Sequence, residues 1–507
     1  MCYRGLAVAQ TMRLLVSFIS ALALKNRPSA RVPTLRILPV SVCPTRVRHD
    51  RNRNDGLSIM RQLLQDMRDL LALAWPVVIS RTGILTLSIT DTVMVGHYAS
   101  EHLAYVGIGM VPSNIFILVM IGLLMGTSVL VSNRFGAGET AKTGEIWWLS
   151  LPWGIAIGLV GFVICAFGET LLLLSGQMPG LAAKGGRISF IAGLSLPLAA
   201  IHMTTGFFLE GVRNPRPGMV IMIVANIINI GANYVLVYGM YGFPELGAEG
   251  SIWATFIVRL AQVFAILSYV WFFLDRAKYG IDRPVWGWRA AREMRRIGYA
   301  SGVSMGVENA AFNALALFGG LLGTVVLAAH VITINVFALF FMMGLGFGVA
   351  TAVSVGNAYG AGDMARVYRW AWVGLGLQTG VMMVGVLIMF FYARYAAGLF
   401  TEDAAVAKLA ATMIGYASIA LIFDTGQSLF AMSLRARRDT WYPTLIHILS
   451  YVVIMIPLTW YMSFELGRGA LGLIDGIVLG TLAPFTLLGL RYIYLHRRAL
   501  KDITRTA

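Results

Sequence analysis

The sequence predicts an all-α integral membrane protein with about twelve transmembrane helices, arranged as two pseudo-symmetric lobes of six. Three observations carry this expectation. Of 507 residues, 58% are hydrophobic and only 13% charged, which leaves too few polar groups to cover a water-exposed surface. Apolar runs recur that exceed the roughly 20 residues needed to cross a bilayer as helix. One stretch also occurs twice: residues 127–141 read TSVLVSNRFGAGETA and residues 351–365 read TAVSVGNAYGAGDMA. The copies lie roughly 220 residues apart, a period too long for a solenoid unit.

Residues 1–59 are read as a basic, poorly structured extension and set aside from the fold. They are Arg-rich with no acidic residue before Asp50. Their composition admits a targeting segment, but an extension ahead of a natural start at Met60 explains them more simply, because the first membrane helix needs no separate signal. The expected spans of the N-lobe (60–275) are 69–95, 103–132, 145–175, 187–211, 217–240 and 250–274, by length and apolarity. A polar linker, 276–292, follows; with its flanks it is rich in Arg and Trp, as suits a segment lying at a membrane surface. The C-lobe (293–500) gives 294–322, 325–356, 368–398, 404–436, 441–464 and 469–495, and 501–507 form a tail.

Charge sets the expected orientation. Loops after even-numbered spans carry Arg134, Lys142, Arg213, Arg216, Arg366, Arg369 and the run Arg435, Arg437, Arg438, whereas residues 96–102 and 239–251 hold no Lys or Arg. By the positive-inside rule both termini and both Gly-Ala-Gly loops are cytoplasmic. Six spans joined to six by a cytoplasmic linker make parallel repeats about an axis along the membrane normal. About half of the +16 net charge precedes Met60 and the rest sits in loops, so nucleic acid is not an expected partner. Cys2, Cys43 and Cys165 show neither pairing nor metal-ligand spacing, and no Walker loop, HExxH or GxSxG is present. No cofactor is expected.

Ionisable side chains deep in a span cost roughly 2.5–3.5 kcal/mol on insertion scales, so each needs a reason. Three carboxylates stand out: Asp91 in SITDTVMVG, Glu308 in GVENAAFNALALFGG and Asp424 in LIFDTGQSLF. Such a group can load and release a proton, coordinate sodium or pair with a cationic substrate; a helix–helix hydrogen bond or a pair with Arg259 is the structural alternative. Amides lie nearby. Asn229 and Asn233 are one turn apart on one face, with Asn226 on the adjoining turn; Asn309 and Asn313 flank Glu308; Gln427 lies three residues after Asp424. These amides serve equally as interhelical glue, the preferred reading for Gln427. His202, His330 and His447 are read as packing residues, and Glu210 as a surface partner of Arg213.

The stretches DTVMVGHYASEHLAYVGIG, GxxxLVSNRFGAGE, YVLVYGMYGFPELGAEGS, ENAAFNALALFGGLLGTVVLAAHVITIN and GNAYGAGD resemble the multidrug and toxic compound extrusion (MATE) transporters, most closely their NorM-type branch. The resemblance covers residues 70–495. It implies the V-shaped MATE fold and an antiporter that expels cationic, amphipathic drugs or toxins as protons or sodium ions flow inward. Asp91 then matches the N-lobe acidic residue with Asn229 and Asn233 beside it, while Glu308 and Asp424 match a paired C-lobe cation site, a sodium site if sodium is the coupling ion. Ala420 stands where the branch can carry a Tyr, which tilts the expectation towards protons.

Three functions are set against one another. The first is ion-coupled multidrug antiport by a monomer in the cell inner membrane, with Asn229, Asn233, Asn309, Asn313 and Gln427 lining the polar cavity. The second, on the same fold, is a flippase or exporter of lipid-linked saccharide, which should carry several basic residues for diphosphate; only Arg81 and Arg259 lie within spans. The third, a membrane enzyme, lacks a nucleophile or metal cluster. The Gly-Ala-Gly loops, away from the carboxylates, are read as paired turns that end their helices and let the lobes move.

Overall fold

The structure, a computed structural model, describes residues 47–506. Residues from Met60 onward form one compact unit. Most of the expected basic extension at 1–59 lies outside the described residues.

Every regular element among the described residues is helical. In chain order the long helices are α1 (Met60–Tyr98), α2 (Glu101–Gly136), α3 (Ala141–Ala166), α4 (Pro179–Gly211), α5 (Arg216–Tyr238) and α6 (Ala248–Phe273). Then follow α7 (Arg292–Leu321), α8 (Thr324–Gly360), α9 (Met364–Phe391), α10 (Ala404–Ala417 with Ala420–Ala436), α11 (Trp441–Glu465) and α12 (Ala470–Ala499). Ten are long and apolar enough to cross a membrane, and α10 qualifies as a bent pair. The twelfth, α7, is more polar. Its 30 residues still reach about 45 Å at 1.5 Å per residue, beyond the roughly 30 Å hydrocarbon core. The expected all-helical membrane architecture therefore holds.

Two departures from straight α-helix bear on the site. The arms of α10 meet at 48°. At the break the Ser418 hydroxyl donates back to the Gly415 carbonyl at 2.8 Å, a local bond that competes with the helical ladder. In α11 the stretch Ile448–Met455 winds as a π-helix. Pro457 offers no N–H to the Val453 carbonyl and crowds it, which favours a widened turn just ahead.

The halves meet through glycines. α2 packs most extensively on α7 and also on α8. Gly122 and Gly126 of α2 cross Gly298 and Gly302 of α7, one small-xxx-small pair against another. A Cβ on Gly126 would lie 2.2 Å from the Met294 carbonyl oxygen, and one on Gly298 would lie 2.2 Å from that of Leu123. Only bare backbone fits there.

The duplicated stretch closes one end of this crossing. Both copies finish their helices in the same way: Glu139 N–H donates to Arg134 O and Gly138 N–H to Phe135 O, as Asp363 does to Ala358 O and Gly362 to Tyr359 O. This double bond pattern needs a left-handed residue, supplied by Gly138 (φ 78°) and Gly362 (φ 76°). The first glycine of each triplet serves contact instead. A Cβ on Gly136 would lie 1.9 Å from the Asn357 carbonyl oxygen, and one on Gly360 would lie 1.9 Å from that of Asn133. The expected paired turns do end their helices, but the two copies also lock reciprocally onto each other. Asn133 strengthens the lock: its Nδ2 donates to Ala436 O at 3.0 Å, and its Oδ1 accepts from Arg438 Nε at 3.2 Å.

Candidate functional site

Glu308 and Asp424 come together from α7 and α10. Gln427, one turn beyond Asp424, donates through Nε2 to Glu308 Oε1 and to Asp424 Oδ1, 3.3 Å each, and approaches Ser428 Oγ at 3.1 Å. The side chain read as glue is thus the bridge between the two carboxylates. Its Oε1 is buried with no donor. Asp424 is 2% exposed, and the bend of α10 lies just before the turn that carries it.

Tyr451 completes the cluster and was not foreseen. It sits in the π-helical turn of α11, fully buried, and its hydroxyl donates to Glu308 Oε1 at 3.2 Å. A tyrosine in an apolar span must find a partner for its hydroxyl; that was the available signal. One turn away on both helices, Ser304 Oγ and His447 Nδ1 lie 2.5 Å apart, so His447 does pack as expected. Arg435, counted above with a loop, is in fact a buried residue of α10.

Asn309 and Asn313 do not join this cluster. Asn313 Nδ2 turns back to Asn309 O and Oδ1, at 2.8 Å each. The reason is helical phase: one residue rotates the direction by about 100°, and five by about 140° net, so neither points with Glu308.

The second cluster surrounds Asp91 on α1. Its Oδ1 accepts from Asn229 Nδ2 at 3.0 Å and Asn233 Nδ2 at 2.8 Å, and its Oδ2 from Thr255 Oγ1 at 2.7 Å. Asn226 faces away and donates to Gly83 O at 3.2 Å. Arg259, one turn beyond Thr255, donates to Ser195 Oγ at 2.7 Å. Glu210 corrects an expectation: it is buried and pairs with Arg81 of α1 at 3.0 Å, not with Arg213 at the surface. A guanidinium three turns below Asp91 is thereby neutralised by a third helix.

The two clusters differ chemically. Asp91 already accepts three donors, as an ionised carboxylate should when buried. Glu308 and Asp424 share one amide nitrogen, with the Tyr451 hydroxyl as a further donor, so the set holds more acceptors than donors. Oxygen acceptors suit a proton or a hard cation. Among the described residues no group of three or more His, Cys, Asp or Glu gathers as a transition-metal site would need.

Comparison with known proteins identifies the family. The sequence profile of the MatE family matches residues 76–235 and again 300–461, one match in each half. The chain is 35% identical over 447 residues to a probable multidrug resistance protein NorM of Caulobacter vibrioides, covering 88% of this chain and 95% of that one. It is 30% identical over 452 residues to the multidrug resistance protein PmpM of Pseudomonas aeruginosa, covering 87% and 94%. In fold it is similar to the eukaryotic MATE transporter AtDTX14, with a TM-score of 0.78 at 20% identity over 87% of this chain and 99% of that one. An outward-facing multidrug resistance MATE transporter gives 0.79 at 17% identity over 86% and 98%. The doubled match and the near full-length identity establish that this chain belongs to the MatE family of multidrug and toxic compound extrusion transporters, in its NorM-like branch.

Proposed function

We propose that the chain is a secondary active antiporter that exports cationic, amphipathic compounds in exchange for protons or sodium ions. The lobes, residues 60–275 and 293–500, alternate access around a central cleft, with both termini cytoplasmic in a cell inner membrane and the monomer as the working unit. The observation that carries this reading is the cluster of Glu308, Asp424, Gln427 and Tyr451: two carboxylates from separate helices share the Gln427 amide nitrogen, with the Tyr451 hydroxyl as the further donor, an arrangement that a bound cation or proton stabilises. Ion and compound need not touch. Each need only favour the opposite state of the same two-state element. The names of the relatives, multidrug resistance proteins, support small molecules as the exported class.

Export of a lipid-linked saccharide is the competing reading. Its diphosphate would need several free cations gathered in one place; Arg81 is engaged by Glu210, and Arg259 and Arg435 lie apart, one in each half, which weighs against it. Vesicles containing the purified chain test the proposal. Efflux of a fluorescent cationic compound should follow an imposed inward proton or sodium gradient without ATP; efflux indifferent to both gradients would overturn it.

A further inference from the structure

Residues 275–296 hold seven Lys or Arg against three Asp or Glu. The acids there are largely engaged: Asp282 meets Arg276 at 3.4 Å, and Glu293 meets Arg438 at 3.1 Å. Arg289, Arg292 and Arg296 are exposed and have no carboxylate partner among the described residues. Arg292 and Arg296 are one turn apart on the same face of α7, at the end where the helix dipole adds partial positive charge.

On the same stretch of chain, a pocket is walled by Pro152 and Trp153 of α3, Trp286 and Trp288 of the linker, and Arg295 of α7. Arg295 forms its base: it is buried, donates from Nη1 to Trp288 O at 2.6 Å, and lies 3.6 Å from the centroid of the Trp288 ring. Trp288 meets Trp153 at 5.8 Å, and Trp286 meets Trp148 at 5.9 Å between ring centroids. Yet Trp286 and Trp288 remain 66% and 65% exposed. Large aromatic rings held open by their own scaffold are costly in water and favoured at the headgroup level of a bilayer. The position fits, because the linker joins the end of α6 to the start of α7.

We propose that this surface is a headgroup site for an anionic phospholipid. Guanidinium groups bind phosphate oxygens through paired N–H donors, so Arg289, Arg292 and Arg296 receive the phosphodiester. Trp286 and Trp288 lie along the glycerol and ester region. An aromatic-walled pocket between membrane helices, on a stretch of chain that also carries exposed arginines, combines the two contacts that an anionic lipid headgroup needs. Because its walls come from α3 and α7, one helix of each half, a bound lipid steadies the start of α7 against the first half.

The test uses the full chain. After extraction from bilayers of equal phosphatidylglycerol and phosphatidylcholine, native mass spectrometry should show phosphatidylglycerol retained several-fold over phosphatidylcholine. The triple variant Arg289→Ala, Arg292→Ala, Arg296→Ala should lose that preference. Brominated lipids give a second reading on the unaltered chain: brominated phosphatidylglycerol should quench tryptophan more than brominated phosphatidylcholine, and Trp286→Phe with Trp288→Phe should remove the difference. Equal retention of both lipids by the unaltered chain, or preference kept by the triple variant, would overturn the proposal. Displacement of the lipid by soluble glycerol phosphate would overturn it too, since the site would then recognise phosphate alone.

Discussion

Glu308 and Asp424, on different helices, share a single hydrogen-bond donor, the amide nitrogen of Gln427, at 3.3 Å from each. Hydrogen bonds to charged groups contribute about 1.5–3 kcal/mol. In Gln427→Leu the carboxylates lose that donor and hold a proton or cation more tightly. Ion release then slows. Efflux turnover should fall about tenfold or more, at the scale of that energy, while the apparent ion affinity, read from efflux against pH or sodium concentration, should rise.

Tyr451→Phe removes one donor from Glu308 and keeps the ring that packs beside Phe312 and His447. The same sign is expected with a smaller size than for Gln427→Leu, because the hydroxyl hydrogen bonds chiefly to Glu308, at 3.2 Å, whereas the Gln427 amide lies 3.3 Å from both carboxylates. Ion titrations of the two variants side by side check the ranking, and thermal melting in detergent should show Tyr451→Phe little changed.

Gly136→Ala and Gly360→Ala each place a methyl 1.9 Å from a backbone oxygen of the opposite copy. Because the contact is reciprocal, the two variants should behave alike: the Gly-Ala-Gly end should open, and a cysteine introduced at the buried Ser132 should become reactive to a water-soluble maleimide. Gly138→Ala provides the contrast. No atom meets its Cβ, so its cost is confined to the left-handed backbone, roughly 1–2 kcal/mol, and the cysteine should stay protected.

The Arg81 and Glu210 pair is buried between α1 and α4. Removing one partner of a buried pair costs roughly 3–5 kcal/mol, whereas replacing both with apolar groups is near neutral. Glu210→Gln should lower the melting temperature markedly, and Arg81→Met combined with Glu210→Leu should restore most of it.

Much of this architecture was legible in the chain, for identifiable reasons. Span length and the duplicated stretch depend on local composition and repetition, and a carboxylate within an apolar run announces itself. Asp91 with Asn229 and Asn233 was readable because two amides one turn apart share a face. What escaped depended on distant elements. Nothing local to Tyr451 says that a widened turn aims it at Glu308, and Arg435 reads as a loop cation until α10 is seen to extend through it. Glu210 looked paired with its sequence neighbour Arg213, yet its partner lies 129 positions away. The lock between Gly136 and Asn357 was hidden because a glycine required for close approach looks like one required for a turn.

The most direct measurement of the central claim is ion movement provoked by drug in proteoliposomes. Addition of a cationic substrate to one side should drive a counterflow of protons or sodium through the unaltered chain. Glu308→Gln and Asp424→Asn should each abolish that counterflow while the protein remains inserted and still binds the substrate. Counterflow of unchanged size in both variants would contradict the assignment of these carboxylates as the coupling site.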